Sequence, residues 1–112
     1  MSTLREIAFA RSGDKGSSAN IAVFGRSTAS YEWMKEHLSA RAVEDYFQRL
    51  GVGSVIRYDV PNLEALNFVL PGVLGGGGSR SLRIDAQGKT LGQALLEMPL
   101  SFLEDRMVEA TD

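Results

Sequence analysis

The 112-residue chain contains no cysteine, which excludes disulfides, thiolate nucleophiles and cysteine-held zinc or iron–sulfur centres. That composition fits a reducing compartment, so the cytoplasm is the expected location. Histidine is nearly as scarce: His37 is the only one. A catalytic imidazole needs an orienting carboxylate and a nucleophile, whereas a helix C-terminus by itself favours a partly charged ring, so His37 reads as structural. With no cluster of carboxylates to join it, no metal is expected. Basic charge is also lacking. Twelve Lys and Arg against fourteen Asp and Glu leave a net charge of −2, and without a Lys/Arg run the electrostatic footprint for nucleic acid is missing. No eighteen apolar residues run together, and the N-terminus has no basic start followed by an apolar stretch, so neither a membrane span nor a signal peptide is expected.

Nucleotide fingerprints fail as well. Neither GDKGSSAN nor GGGGSRSLR has the glycine spacing and Lys-Ser/Thr ending of a Walker loop, and Arg80 stands where the third glycine of a dinucleotide-binding turn belongs.

What remains is an ordinary composition, 44% hydrophobic, of the length of one domain, residues 1–112, with 100–112 as a C-terminal tail. Alternation predicts a strand over 4–10, a polar loop over 11–20 and a second strand over 20–25. Ser30 is placed to cap a helix in which Tyr31, Met34 and Leu38 share a side. Ser39 is placed to cap another, carrying Val43, Tyr46, Phe47 and Leu50 and ending at Gly51. A third strand over 54–60 stops at Pro61, a single helical turn is predicted over 62–68, and a fourth strand over 81–85 precedes a tight turn. Thr90 then caps a last helix that Pro99 ends. Residues 100–112 have three courses open: to dock on the core, to continue as a short helix, or to cover a neighbouring subunit. Two strands joined by a loop rather than a helix argue against a Rossmann alternation. The order predicts an α+β, ferredoxin-like two-layer sandwich with a mostly antiparallel sheet and helices on one face.

Two polar groups are candidates for binding. Arg11, Asp14, Lys15 and Asn20 crowd the first loop, where glycine-permitted turns can present N–H groups to an anion, or where Asp14 can simply pair with Lys15 or Arg11. Arg57, Asn62, Asn67, Arg80, Arg83 and Asp85 form the second. An arginine on a half-buried strand needs a carboxylate, found internally at Asp59 or Asp85 or supplied by a partner.

The stretches ARSGDKGSSANIAVFGRS and VIRYDVPNLEALNFVLPGVLGGGGSRSLRIDAQGKTLGQALLEM resemble the small C-terminal domain of the AtuA proteins, named for acyclic terpene utilisation. In that family the domain follows a large N-terminal domain or occurs as a separate short chain. The motif positions carried over are Arg11 to Gly16, Asn20, Arg57, Tyr58, Pro61 to Leu63, Asn67, Phe68, Gly75 to Gly77, Ser81 to Arg83, Asp85, Gly88 and Lys89. Gly78 and Ser79 depart from the apolar residue and threonine often found there. The resemblance implies a ferredoxin-like fold and a place in acyl-CoA-linked catabolism of acyclic terpenoid or branched compounds.

Two functions follow from it. One is a non-catalytic accessory subunit, partnered by a large AtuA-type chain, by further copies of itself, or by both, with Tyr58 or Phe68 as aromatic anchors. The other is a hydratase- or lyase-like component binding a CoA thioester between the 11–20 and 75–85 loops, with no further cofactor. There Lys15, Arg80 and Arg83 hold anionic groups, Asn20 or Asn67 polarises a carbonyl, and Asp14 is the one loop candidate for a general base. Gly75 to Gly78 are expected to let the second loop pass close to the first.

Overall fold

Two β-hairpins meet side by side to make the sheet. The computed structural model describes residues 2–15, 18–71 and 90–110. In the first hairpin β1 (Ala8–Lys15) pairs antiparallel with β2 (Ser18–Gly25), from Ala8 opposite Gly25 to Lys15 opposite Ser18. In the second, β3 (Ile56–Val60) pairs antiparallel with β4 (Ala65–Leu70). β2 then joins β4, Ala19 opposite Leu70 through Phe24 opposite Ala65, giving the order β1-β2-β4-β3. β2 and β3 therefore run parallel with β4 between them, and α1 (Thr28–His37) and α2 (Ala40–Tyr46) make the crossover. This is a split β-α-β unit. β1 and β4 are likewise parallel about β2, so the sheet is that of a βαββαβ ferredoxin-like unit whose last strand has moved to the front of the chain. α3 (Leu91–Leu96) and α4 (Leu100–Ala110) follow β4.

The core lies on one face of this sheet. Ile21 and Val23 of β2 and Leu66, Phe68 and Leu70 of β4 are wholly buried beneath Tyr31, Met34 and Leu38, Val43 and Phe47, and Leu91, Leu95 and Leu103. The helices start where side chains satisfy their first N–H groups. Ser39 Oγ accepts from Ala42, and Thr90 forms a reciprocal capping box with Gln93. Gly51, at φ 71°, takes the left-handed position after the short 3-10 turn that follows α2. The N-terminal segment is tied to the α3–α4 junction by Leu4 N–H to the Met98 carbonyl and Leu100 N–H to the Ser2 carbonyl.

Four sequence expectations need correction. Leu4–Glu6 is a 3-10 turn, and the first strand begins only at Ala8. The expected loop over 11–20 is largely strand: cross-strand pairing with β2 carries the ladder through Arg11, Ser12, Gly13 and Asp14 despite their turn preference. The α1 cap is Ser27, one turn earlier than Ser30, which instead donates its N–H to Ser27 Oγ. Residues 62–68 are not a helical turn. Pro61–Leu63 makes a 3-10 turn, Glu64 reverses the chain at φ 50°, and Ala65–Leu70 is a central strand. Glu64 is held in that left-handed conformation by three contacts: its N–H donates to Pro61, its carbonyl accepts from Gly25, and its carboxylate accepts from Thr28 Oγ1. The expected strand over 81–85, the turn after it and the 75–78 glycine run lie outside the described residues. Of the courses open to the C-terminal segment, residues 100–110 take a helix, with Leu103 docked in the core.

α3 sits so close to β1 that Gly92 has no room for a side chain. A Cβ there would lie 2.7 Å from Ser12 Oγ, which accepts the Gly92 N–H, and 3.5 Å from the Ala10 Cβ. Gly92→Ala is expected to lower stability by about 1–3 kcal/mol, read as an earlier urea midpoint at unchanged slope. The other helix tie is Tyr46, whose hydroxyl donates to the Ala94 carbonyl at 3.0 Å. Burial, and secondarily the Glu97 charge, raise its phenol above the ordinary 10.0. The folded chain then holds that proton more tightly than the unfolded one, so the contribution is complete below about pH 10 and is lost as pH rises through the folded value. Melting temperatures measured from about pH 9 to 11 are expected to fall more steeply for the wild type than for Tyr46→Phe.

Candidate functional site

Strand residues alternate between faces, so the register that fills the core also fixes what the sheet shows on its other side. Three rows run across that open face. The first is Phe9, Phe24, Ala65, Val60; the second is Arg11, Ala22, Asn67, Tyr58; the third is Gly13, Asn20, Val69, Ile56. Of the four large hydrophobic side chains exposed among the described residues, three stand here: Phe9 at 45%, Ile56 at 44% and Tyr58 at 52%. Phe9 and Phe24 stack at 5.0 Å with their rings 9° apart, and the Arg26 guanidinium lies 5.9 Å from the Phe9 centroid. Ala65 is buried, yet it does not belong to the core cluster. Among the described residues these rows hold Arg11 and no carboxylate.

The polar centre is a pair of amides. Asn20 Nδ2 donates to Asn67 Oδ1 at 3.2 Å across β2 and β4. The other end of the Asn20 amide lies over Gly13, where a Cβ would stand only 2.9 Å from Oδ1, so the glycine is what admits the asparagine. Beside the pair is a depression of ≈ 310 Å³ lined by Ser18, Ala19, Asn20, Asn67 and Val69.

The structure thus brings Arg11, Asn20 and Asn67 onto one face, with Tyr58 beside them. Arg57 faces the helices. Its Nε and Nη2 donate to the two Asp59 oxygens at 2.8 and 3.1 Å, and its Nη1 donates to the Lys35 and Leu38 carbonyls at 3.1 and 3.0 Å, closing the C-terminus of α1. Its pairing is therefore with the neighbouring Asp59. Phe68, one of the two suggested anchors, is a core residue with no exposed surface. Asn62 is exposed in the turn between β3 and β4. Asp14 and Lys15 are placed on β1 by register, opposite Ala19 and Ser18, but their side chains lie outside what is described. Arg80, Arg83 and Asp85 also lie outside the described residues, and with them the expected approach of the two loops.

His37 is engaged within its own helix, stacked on Trp33 at 4.1 Å with Nδ1 donating to the Trp33 carbonyl at 2.9 Å. A separate charged cluster, Arg41 and Arg106 on Asp45, ties α2 to α4. Among the described residues no group of three His, Asp or Glu side chains is arranged to hold a metal ion, and no helix is long and apolar enough to cross a membrane.

The sequence reading missed Phe9, Phe24 and Ile56 as surface features. Their signal was partial: the central strands β2 and β4, where they pair, are apolar on both alternating sets but for Asn20 and Asn67, and a strand apolar on both faces needs two coverings.

The ferredoxin-like topology agrees with a family model that matches residues 2–101, that of the AtuA ferredoxin-like domain. The chain belongs to that family. No curated protein and no solved structure matches this AtuA ferredoxin-like domain.

Arg57 supplies a test of how the AtuA ferredoxin-like domain is divided between support and surface. Arg57→Ala removes four charge-assisted hydrogen bonds and leaves two helix-end carbonyls open. A loss of about 1–3 kcal/mol is expected in chemical denaturation. Asn67→Ala, on the open face, is expected to cost less than about 1 kcal/mol, since the hydrogen bond it accepts from Asn20 is only partly buried.

Proposed function

We propose that this domain is a non-catalytic accessory or interaction module, working with a large AtuA-type chain in acyl-CoA-linked catabolism of acyclic terpenoid or branched compounds in the cytoplasm. Its open sheet face is the surface through which it associates with another protein chain. The observation that carries the reading is the placing of Phe9, Ile56 and Tyr58 on one face about a hydrogen-bonded amide pair. Contiguous exposed apolar groups with a few polar ones mark association surfaces, and aromatic side chains with arginine are the residues enriched there.

A second reading is favoured by the depression beside Asn20 and Asn67. There the domain is a CoA-thioester-binding component, one amide polarises the thioester carbonyl, and Lys15, Arg80 and Arg83 meet the anionic end of the ligand. Asp14 is its candidate base.

The two readings separate in paired measurements. Association of the purified domain, alone and mixed with a purified large AtuA-type chain, is followed by sedimentation, and Tyr58→Asp is expected to weaken it by about 2 kcal/mol or more. A panel of CoA thioesters is titrated in parallel by thermal shift, where a ligand at a hundred times its Kd stabilises by about 2.7 kcal/mol. Loss of association in Tyr58→Asp with no thermal shift supports the interaction module. A saturable shift abolished by Asn20→Ala, with association unchanged in Tyr58→Asp, moves the assignment to the ligand-binding component.

A further inference from the structure

We infer that the chain seated on the open sheet face is a second copy of this one, packed face to face about a two-fold axis that runs along the strands. The inference rests on the reading of that face as an association surface and names its occupant. Its warrant is the register. A two-fold axis lying between two stacked sheets and parallel to their strands keeps every row in place and exchanges the edges, so β1 of one copy covers β3 of the other and β2 covers β4.

Under that operation the rows fit themselves. In the third row Ile56, the largest group, falls opposite Gly13, over which only the flat Asn20 amide lies, and Asn20 falls opposite Val69. In the first row Phe24 falls opposite Ala65. In the middle row Arg11 falls opposite Tyr58, a guanidinium over a phenol ring, which is the attractive sense of a cation–π contact. Each match occurs twice.

Charge selects this axis over the other in-plane choice. A two-fold across the strands sets Arg11 opposite the same arginine of the second copy, with no carboxylate among the described residues of the face to neutralise them. The axis along the strands sends the two arginines to opposite edges, about 14 Å apart across the sheet for strands spaced about 4.8 Å. Four strands of five to eight residues present a face of roughly 400 Å² in projection, within the size range of the largest patches found on single proteins, which are often functional.

The test is a charge exchange across the two-fold, read as the dimer Kd by sedimentation equilibrium of the full chain. The wild type is expected to dimerise in a concentration-dependent manner. Arg11→Glu puts a carboxylate over the ring, and Tyr58→Lys puts a second cation opposite the arginine; each is expected to raise the dimer Kd at least about thirtyfold. The double variant sets a carboxylate opposite an ammonium at both related positions and is expected to recover most of the affinity. Rescue within one chain is excluded by distance, since positions 11 and 58 lie on opposite edge strands. Unchanged melting temperatures would show that each variant remains folded.

A wild type that stays monomeric, or a double variant no tighter than the single ones, would overturn the second copy as occupant. If the monomer then binds a purified large AtuA-type chain and loses it in Tyr58→Lys, the association face stands with a different occupant. Variants that associate with either chain as tightly as the wild type would sink both.

Discussion

The pairing of β2 with β4 is the contact on which the rest of the molecule depends. Each of these strands already belongs to a local hairpin, and either hairpin alone would leave its apolar face in water, where two-stranded ribbons are at best marginally stable. Joining them places Ile21 beside Phe68 and Val23 beside Leu66, all fully buried, and makes a surface wide enough for α1 and α3 to cover. The register is strongly specified because a one-residue slip would turn these side chains outward. The same slip would carry Asn20 and Asn67 to the covered side.

The alternation of strands makes the second face a consequence of the first. Once Val23, Leu66, Ile21 and Phe68 are committed to the helices, Phe24, Ala65, Asn20 and Asn67 have no choice of side. What is not forced is their character. A solvated outer face can be built from Thr, Lys and Glu, as antiparallel sheets commonly do, yet here the described rows carry Phe9, Phe24, Val60, Tyr58, Val69 and Ile56 with a single arginine. The charged groups of β3 lie on the helix side instead, where Arg57 and Asp59 serve the end of α1. Charge has been used on the covered side to close a helix, and apolar area has been left on the open one.

The helices were legible in the sequence because their determinants are local. Ser39 and Thr90 cap where their positions suggested, and Tyr31, Met34, Leu38 and Val43 are buried as their spacing implied. The strands over 20–25 and 54–60 were legible from their alternation between turn signals. ALNFVL is too short and too uniformly apolar for its period to decide between helix and strand; its burial alternates only because β2 and β3 hold it flat. RSGDK has turn chemistry by composition, and a long-range ladder overrides it. Of the site, Arg11, Asn20, Asn67 and Tyr58 were in view as residues, while their union on one face required the β2–β4 register, which no local pattern carries.

The amide pair explains how a largely apolar face can hold polar groups and still be covered. An asparagine buried without partners costs free energy on association, and one already bonded costs less. Asn20 and Asn67 satisfy one donor and one acceptor between themselves before any partner arrives, and Gly13 gives the Asn20 amide the space to lie flat. The groups left over, an acceptor on one amide and a donor on the other, sit at a fixed place in an otherwise apolar field. Under the two-fold along the strands these groups face Val69 and Ala22, so the bond already made between the asparagines is what keeps the cost of covering them low. The apolar rows thus supply the attraction, and the amide bond limits what burying the pair costs.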